Sequence, residues 1–540
     1  LTYTSINFIF FVLVTALLYF ALPLKKHKWI VLLAASIFFY LVAGYKYAMF
    51  ILFTAISTYL IGLWIDKISK NSKAVLKKNK AEWDRETKKK YKNKIKVQKR
   101  FVMAFALVLN FGILAFLKYF NFFAGSLNDI LGNFGINFSI PTLALFLPLG
   151  ISFYTFQSMG YIVDVYREKT AAEKNPLKFM LFVSFFPQIV QGPISIYDQL
   201  AHQLYEPHSF DFTRFKHGMM LILWGFVKKL IIADRAVIAI NTVTDSYNSY
   251  GGSTLLFTIL LYSVQLYADF SGGIDISRGV AQIFGIDMID NFKRPYFSKS
   301  INEYWRRWHI SLGAWLKNYL FYPVAMSNVF INASKKMKGT RFGKTAAGAH
   351  IAKVLPTSVA SLIVFLVVGI WHGADWKYVG FGLWNGLIIM VSILLQPVFD
   401  IILEKLHINP KAAWYSVFQM LRTFIIVLVG YVFDVAPGIN ESMNTFKLIL
   451  TNQSFAQARA QISELGLGKK DFIVILVGII VIFTVSVIQE RHPSTTIREM
   501  LDKKPFILRF ALIFIGIMAV IVYGIYGSGY NPADFVYMQF

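Results

Sequence analysis

Apolar runs long enough to cross a bilayer, each closed by a short polar or basic interval, fill both ends of the chain. Near the start they are Thr4–Leu22, Trp29–Ala43, Tyr47–Ile65 and Phe101–Phe120. Toward the end they are Ile351–Ile370, Lys377–Phe399, Ala413–Phe433, Phe472–Val487 and Ile507–Ile525. Since a membrane helix needs about 20 apolar residues, the pattern predicts an all-α polytopic membrane protein of about 11–13 transmembrane helices. The middle is less regular. Between Pro141 and Ile240 the apolar runs are interrupted by Pro148, Gly150, Pro187, Gly192 and Pro193. Non-helical backbone survives at membrane depth only where protein or a watery cavity covers it, so F-F-P-Q-I-V-Q-G-P at 185–193 reads as a re-entrant element. The run Thr254–Ile286 is apolar up to Leu266 and then reads Y-A-D-F-S-G-G-I-D, placing Asp269 and Asp275 where they could not face lipid.

Composition sharpens the class. Hydrophobic residues make up 56% of the 540 positions, aromatics 17%, and mean hydropathy is +0.52. The formal charge of +26 would suggest nucleic acid in a soluble chain. Here the Lys and Arg residues sit in short loops between apolar runs, as the positive-inside rule requires, and no nucleic-acid partner is expected. Lys25, Lys26 and Lys28 make the first hairpin cytoplasmic, and parity brings the segment 66–100, with fifteen Lys and Arg against four Asp and Glu, to the same side. That arm reads as solvated or lying on anionic membrane lipid, with an acidic cytosolic donor protein as the sharper alternative. Basic linkers Lys335–Lys344, Glu404–Lys411 and Arg491–Lys504 then place 434–470 and the chain's end outside. The first apolar run lacks a small-residue cleavage site and reads as a retained helix. Absence of cysteine excludes disulfides, thiolate metal sites, cysteine nucleophiles and palmitoylation. With neither repeats nor a soluble domain visible, residues 1–540 are expected to form one membrane domain. Within it, 66–100 is a basic cytoplasmic loop, 185–376 the chemical core and 434–470 an extracytoplasmic loop.

Two stretches carry candidate chemistry. S-I-N-E-Y-W-R-R-W-H-I-S-L-G-A-W-L-K-N-Y-L-F-Y-P, at 300–323, opens on a capping box of Ser300 and Glu303 and is stopped by Pro323. As one helix it would put Trp305, Trp308, His309, Leu312 and Leu316 on one face with Arg306 and Arg307 beside them. Two guanidiniums and an imidazole in so apolar a chain point to a functional site, against the alternative of an interfacial helix with Arg at the headgroups. Asp269 or Asp275 would be the partner of Arg306 or Arg307.

The second stretch is V-G-I-W-H-G-A-D-W at 368–376, where His372 ends an apolar run between Gly369 and Gly373 and is walled by Trp371 and Trp376. A lone histidine there could be a helix cap. Two histidines, each flanked by tryptophan at the edge of a broken apolar region, favour acid–base chemistry: an imidazole takes a hydroxyl proton as the oxygen attacks a carbonyl and returns it to the leaving group. No third metal ligand stands at a usual spacing, so no metal is expected.

The strings Y-A-D-F-S-G at 267–272, N-F-K-R-P-Y-F-S-K-S-I-N-E-Y-W-R-R-W-H-I-S-L at 291–312, W-H-G-A-D-W at 371–376 and F-V-Y-M-Q-F at 535–540 resemble the membrane-bound O-acyltransferase (MBOAT) family. The similarity is to the bacterial branch of alginate O-acetyltransferases and D-alanyl teichoic acid transfer proteins, into which 185–193, with Gln191, also fits. The resemblance implies helices around a central tunnel in a bacterial cytoplasmic membrane. It implies a cytosolic acyl donor such as acetyl-CoA or an acyl carrier thioester, none tightly bound, and an acceptor on the far side. His372 matches the family histidine and His309 the second one. The expected activity is O-acyl transfer, with acetyl as the group, to a cell-surface polysaccharide or to an extracytoplasmic relay protein resembling an SGNH hydrolase. His372 would be the base and His309 its assistant. Arg306, Arg307, Asp269 and Gln191 would set the tunnel's polarity, with Trp305, Trp308 and Trp371 excluding water. D-alanyl transfer to teichoic acid is the alternative reading, and a polymer or lipid transporter the alternative of another class.

Overall fold

The computed structural model describes residues 2–136 and 138–526, and among these every regular element is helical apart from one isolated bridge between Phe292 and Trp308. The string at 535–540 and the chain's end lie outside the described residues. Eight helical stretches among the described residues are long and apolar enough to cross a membrane, one of which, Lys25–Lys78, holds two consecutive helices. The protein is a multi-pass membrane protein. Further helices fall outside that count for local reasons. Ile6–Ala21 and Ile151–Tyr166 have 16 residues each. The run from Phe212 to Asp245 is split by a π-helical stretch at Val227–Ala233.

The chain divides into two compact units, Leu1–Ile222 with Ser277–Ile289, and Leu223–Ile276 with Asp290–Phe540. In the first, helices Ala48–Lys78 and Arg85–Asn133 carry the basic stretch as a hairpin of regular helix. Asp84 caps the second helix by accepting from Thr87 N. The hairpin is tied down at Glu168, which takes Lys73 Nζ at 2.8 Å and Lys99 Nζ at 2.7 Å. Hydrogen bonds from those ammonium groups, Lys73 foremost, hold the Glu168 carboxyl down at about 2, so the tie stays ionised at physiological pH.

The break at 185–193 also belongs to this unit, where it is a buried four-residue helix, Phe186–Ile189, running into irregular backbone. Its polar groups are met by protein: Tyr3 Oη donates to Pro187 O at 2.7 Å, Phe186 N to Ser36 Oγ at 3.1 Å, and Gln188 Nε2 to Phe182 O at 3.0 Å. A Cβ at Gly150, whose φ is +69°, would sit 2.2 Å from Ile189 O, so the two breaks named by Gly and Pro pack on each other.

Charge placement predicts that 66–100 faces the cytoplasm and 434–470 the exterior. Single cysteines introduced into this cysteine-free chain should be modified by an impermeant thiol reagent in intact cells at Asn452 but not at Asn93. Modification at Asn93 would reject the scheme.

Candidate active site

In the second unit, the stretch expected to be one helix over 300–323 is broken at its chemically interesting point. Ser300 Oγ accepts from Glu303 N and starts the helix Ile301–Arg307. The chain then opens at Trp308, turns through His309 in the left-handed conformation with φ +46°, and resumes as Ile310–Leu316. Pro323 does not stop it; helical backbone continues to Ala325. A distant residue holds the break open. Asn291 O accepts from Ile310 N at 3.0 Å, its Oδ1 accepts from Ser311 N at 2.9 Å, and Lys293 N donates to Arg307 O at 2.9 Å. A non-glycine residue at positive φ costs of order 1–3 kcal/mol and persists only where its surroundings over-determine it, as they do here.

His309 is 2% exposed, its ring edge-on to Phe270 at 4.8 Å. Its Nδ1 lies 3.3 Å from Asn291 Oδ1. That oxygen can only accept, so Nδ1 carries the proton and Nε2 the lone pair. His372 is the last residue of helix Ala346–His372, 8% exposed and packed on Phe381 at 5.0 Å. Trp371 touches both imidazoles, at 5.9 Å from His309 and 5.4 Å from His372. The turn after His372 is built by its neighbours. Gly373 lies where a Cβ would meet the Tyr378 ring at 2.1 Å, and Asp375 caps the next helix, Trp376–Leu394, by accepting from Lys377 N. Cβ atoms at Gly369 and Gly382 would meet backbone carbonyls at 2.2 and 2.5 Å, so the two helices pack at backbone contact and hold the turn still.

His372 opens into a narrow cavity lined also by Tyr262, Leu266, Tyr304, Trp305, Trp308, Phe381, Tyr431 and Asp434. Trp305 Nε1 donates to Asn385 Oδ1 at 3.1 Å, while Trp308 stacks on Tyr304. Tyr304 and Tyr431 hydroxyls lie 2.8 Å apart. Trp305, Trp308, His309, Trp371 and His372 are thus brought together. Others are not. Arg306 is exposed although it lies within the helix Ile301–Arg307, and Trp376 is 54% exposed. Gln191 belongs to the first unit, where it is wholly buried with both amide atoms unsatisfied among the described residues.

The expected aspartate–arginine pairing is replaced by another. Asp269 pairs with Lys229 at 2.6 Å, and Lys229 also reaches Asp234 at 2.8 Å, all three at most 2% exposed at the side chain. Lys228 pairs with Asp275 at 2.6 Å and donates to Ser271 Oγ at 2.8 Å. A Cβ at Gly225 would lie 2.6 Å from Gly272 O, so the helices carrying these groups nearly touch. Lys-Lys within an apolar run was the signal for this cluster. Arg307 instead takes Glu303 at 2.7 Å and both oxygens of Glu490 at 3.0 and 3.1 Å, and Arg294 joins it on Glu490. Asn291, Glu490 and Asp434 carry no local signal, since each acts through residues distant in the chain. Among the described residues no group of three His, Asp or Glu is placed to hold a metal.

The forked grip on Glu490 anchors the residue just before the break. Arg307→Ala should lower activity roughly tenfold, and Arg307→Lys less, because an ammonium keeps the charge but not the two parallel bonds. Product formed per membrane-embedded protein is the measurement. Equal activity in all three forms would show the pair to be idle.

Residues 171–338 match the family model for MBOAT, the membrane-bound O-acyltransferase family. A probable alginate O-acetylase of Pseudomonas syringae is 34% identical over 327 residues, 60% of this chain and 56% of that protein. A second, from Pseudomonas aeruginosa, is 29% identical over 86% of this chain and 77% of its own length. A peptidoglycan O-acetyltransferase of Helicobacter pylori is 28% identical over 79% and 74%. The chain therefore spans between about half and three quarters of the relatives it matches.

Proposed function

From a chain that belongs to the membrane-bound O-acyltransferase family, we propose O-acyl transfer to an alcohol, with acetyl as the group moved. The observation that carries this reading is His372: an imidazole at a rigid helix end, opening into a cavity of aromatic walls, with a second buried histidine across Trp371. The donor is a thioester on the cytoplasmic side, carried by coenzyme A or an acyl carrier. The acceptor is a hydroxyl of a cell-surface polysaccharide, or of an extracytoplasmic relay protein that acylates the polymer in turn.

His372 removes the hydroxyl proton as the oxygen attacks the thioester carbonyl; the new C–O bond forms, the C–S bond breaks, and the proton passes to the departing thiolate. His309 presents an Nε2 lone pair nearby and steadies the proton's position. Aromatic rings around both imidazoles keep water from competing as acceptor. The arginines lie outside the proton path: Arg307 braces the His309 turn through Glu490.

Mass spectrometry of envelope polysaccharides from a deletion strain and its complemented parent tests the reading. Acyl esters should vanish from one polymer and return with the gene. Unchanged acyl content in every envelope polymer would defeat it.

A further inference from the structure

The cavity that holds His372 contains one carboxylate, Asp434, near the C-terminal end of helix Ala413–Val435. Its Oδ1 is buried and has no hydrogen-bond partner among the described residues. A buried acceptor left unmet costs free energy, and a carboxylate oxygen can be satisfied only by a donor. Trp305, on the same wall, spends its N–H on Asn385.

A cation approaches the same helix end. Lys377 Nζ donates to the main-chain carbonyls of Asp434 at 3.3 Å and Ala436 at 2.8 Å, so an ammonium sits beside this helix end without occupying Oδ1. What the oxygen lacks is a hydrogen-bond donor. Lys377 and His372 lie five residues apart on either side of one tight turn, which fixes the carboxylate's helix relative to the imidazole.

Resting on the acyl-transfer reading, we propose that Asp434 is a specificity residue. It accepts a hydrogen bond from a second hydroxyl of the acceptor, neighbouring the one that His372 deprotonates, and so selects polyhydroxylated acceptors over simple alcohols.

Membranes holding the full chain, supplied with acetyl-CoA, test this with two small alcohols: ethane-1,2-diol and ethanol. Wild type should acetylate the diol in preference to ethanol by roughly tenfold in kcat/KM, the worth of one hydrogen bond to a charged group. Asp434→Ala should remove the diol preference while ethanol acetylation stays near wild type. Asp434→Asn keeps one acceptor oxygen and the side-chain shape, so it should retain part of the preference and serves if the alanine variant is poorly inserted. A full diol preference that survives in Asp434→Ala, an undiminished one in Asp434→Asn, or a parallel loss on diol and ethanol would each overturn the assignment. No acetylation of either alcohol by wild type would overturn this inference, whereas the acyl-transfer reading falls only if envelope acyl content is unchanged on deletion.

Discussion

Lys229→Ala should fail to accumulate as folded protein, losing about 3–5 kcal/mol of stability. The lysine is 2% exposed and bridges Asp234 and Asp269, themselves 1% exposed, so removing its ammonium takes the bridging cation from two carboxylates in an apolar surrounding. Those charges cannot be rehydrated cheaply, and the helices that carry the cluster pack too closely at Gly225 and Gly272 to admit water without separating. Replacing the whole set is a different matter. Lys229→Met combined with Asp234→Asn and Asp269→Leu removes the charges together and should recover much of the loss, because a buried ion pair gains little over well-packed apolar groups. Thermal unfolding of detergent-solubilised protein, followed by loss of the monodisperse peak, is the measurement. A single Lys229→Ala variant that unfolds at the wild-type temperature would show that the bridge contributes nothing.

That cluster also marks where reading the chain by itself stops. The cost of an aspartate at membrane depth is a local property, so Asp269 and Asp275 were legible as groups in need of a partner. Which partner is not local. Arg306 and Arg307 were the cations in the most conspicuous motif, yet the Gly225–Gly272 contact delivers Lys228 and Lys229 instead. The 300–323 stretch divides in the same way. The Ser300 cap and the Glu303–Arg307 pair depend on residues three and four apart and both form, although Glu303 Oε2 accepts from Lys299 N and does not close the capping box on Ser300 N. The left-handed turn at His309 depends on Asn291, eighteen residues upstream, and a 3.6-residue period runs straight through it. Asp434 was passed over because it closes an apolar run and opens a polar one, which reads as the start of a loop; the helix Ala413–Val435 keeps it at the cavity wall.

His372→Gln should leave the protein in the membrane at normal level and abolish its product. Glutamine fills much of the imidazole's volume against Phe381 and Trp371 and still offers hydrogen bonds, so the helix end and the Gly373 turn keep their packing. It cannot accept a proton at neutral pH, and a hydroxyl whose proton is not being removed is a poor nucleophile. A positioned histidine contributes about 10²–10⁴-fold at that step, which sets the expected fall in acyl content of the polymer per molecule of enzyme. His309 supplies the comparison. His309→Asn suits the left-handed backbone better than most residues and retains polarity, but loses the Nε2 lone pair. It should be impaired without being inactive if His309 only steadies the proton, and as inactive as His372→Gln if the two imidazoles share it. Acyl content of the polymer is read against membrane abundance for each variant. Normal acylation by an abundant His372→Gln protein would reduce His372 to a helix end packed in aromatic rings and would remove the base from the proposed reaction.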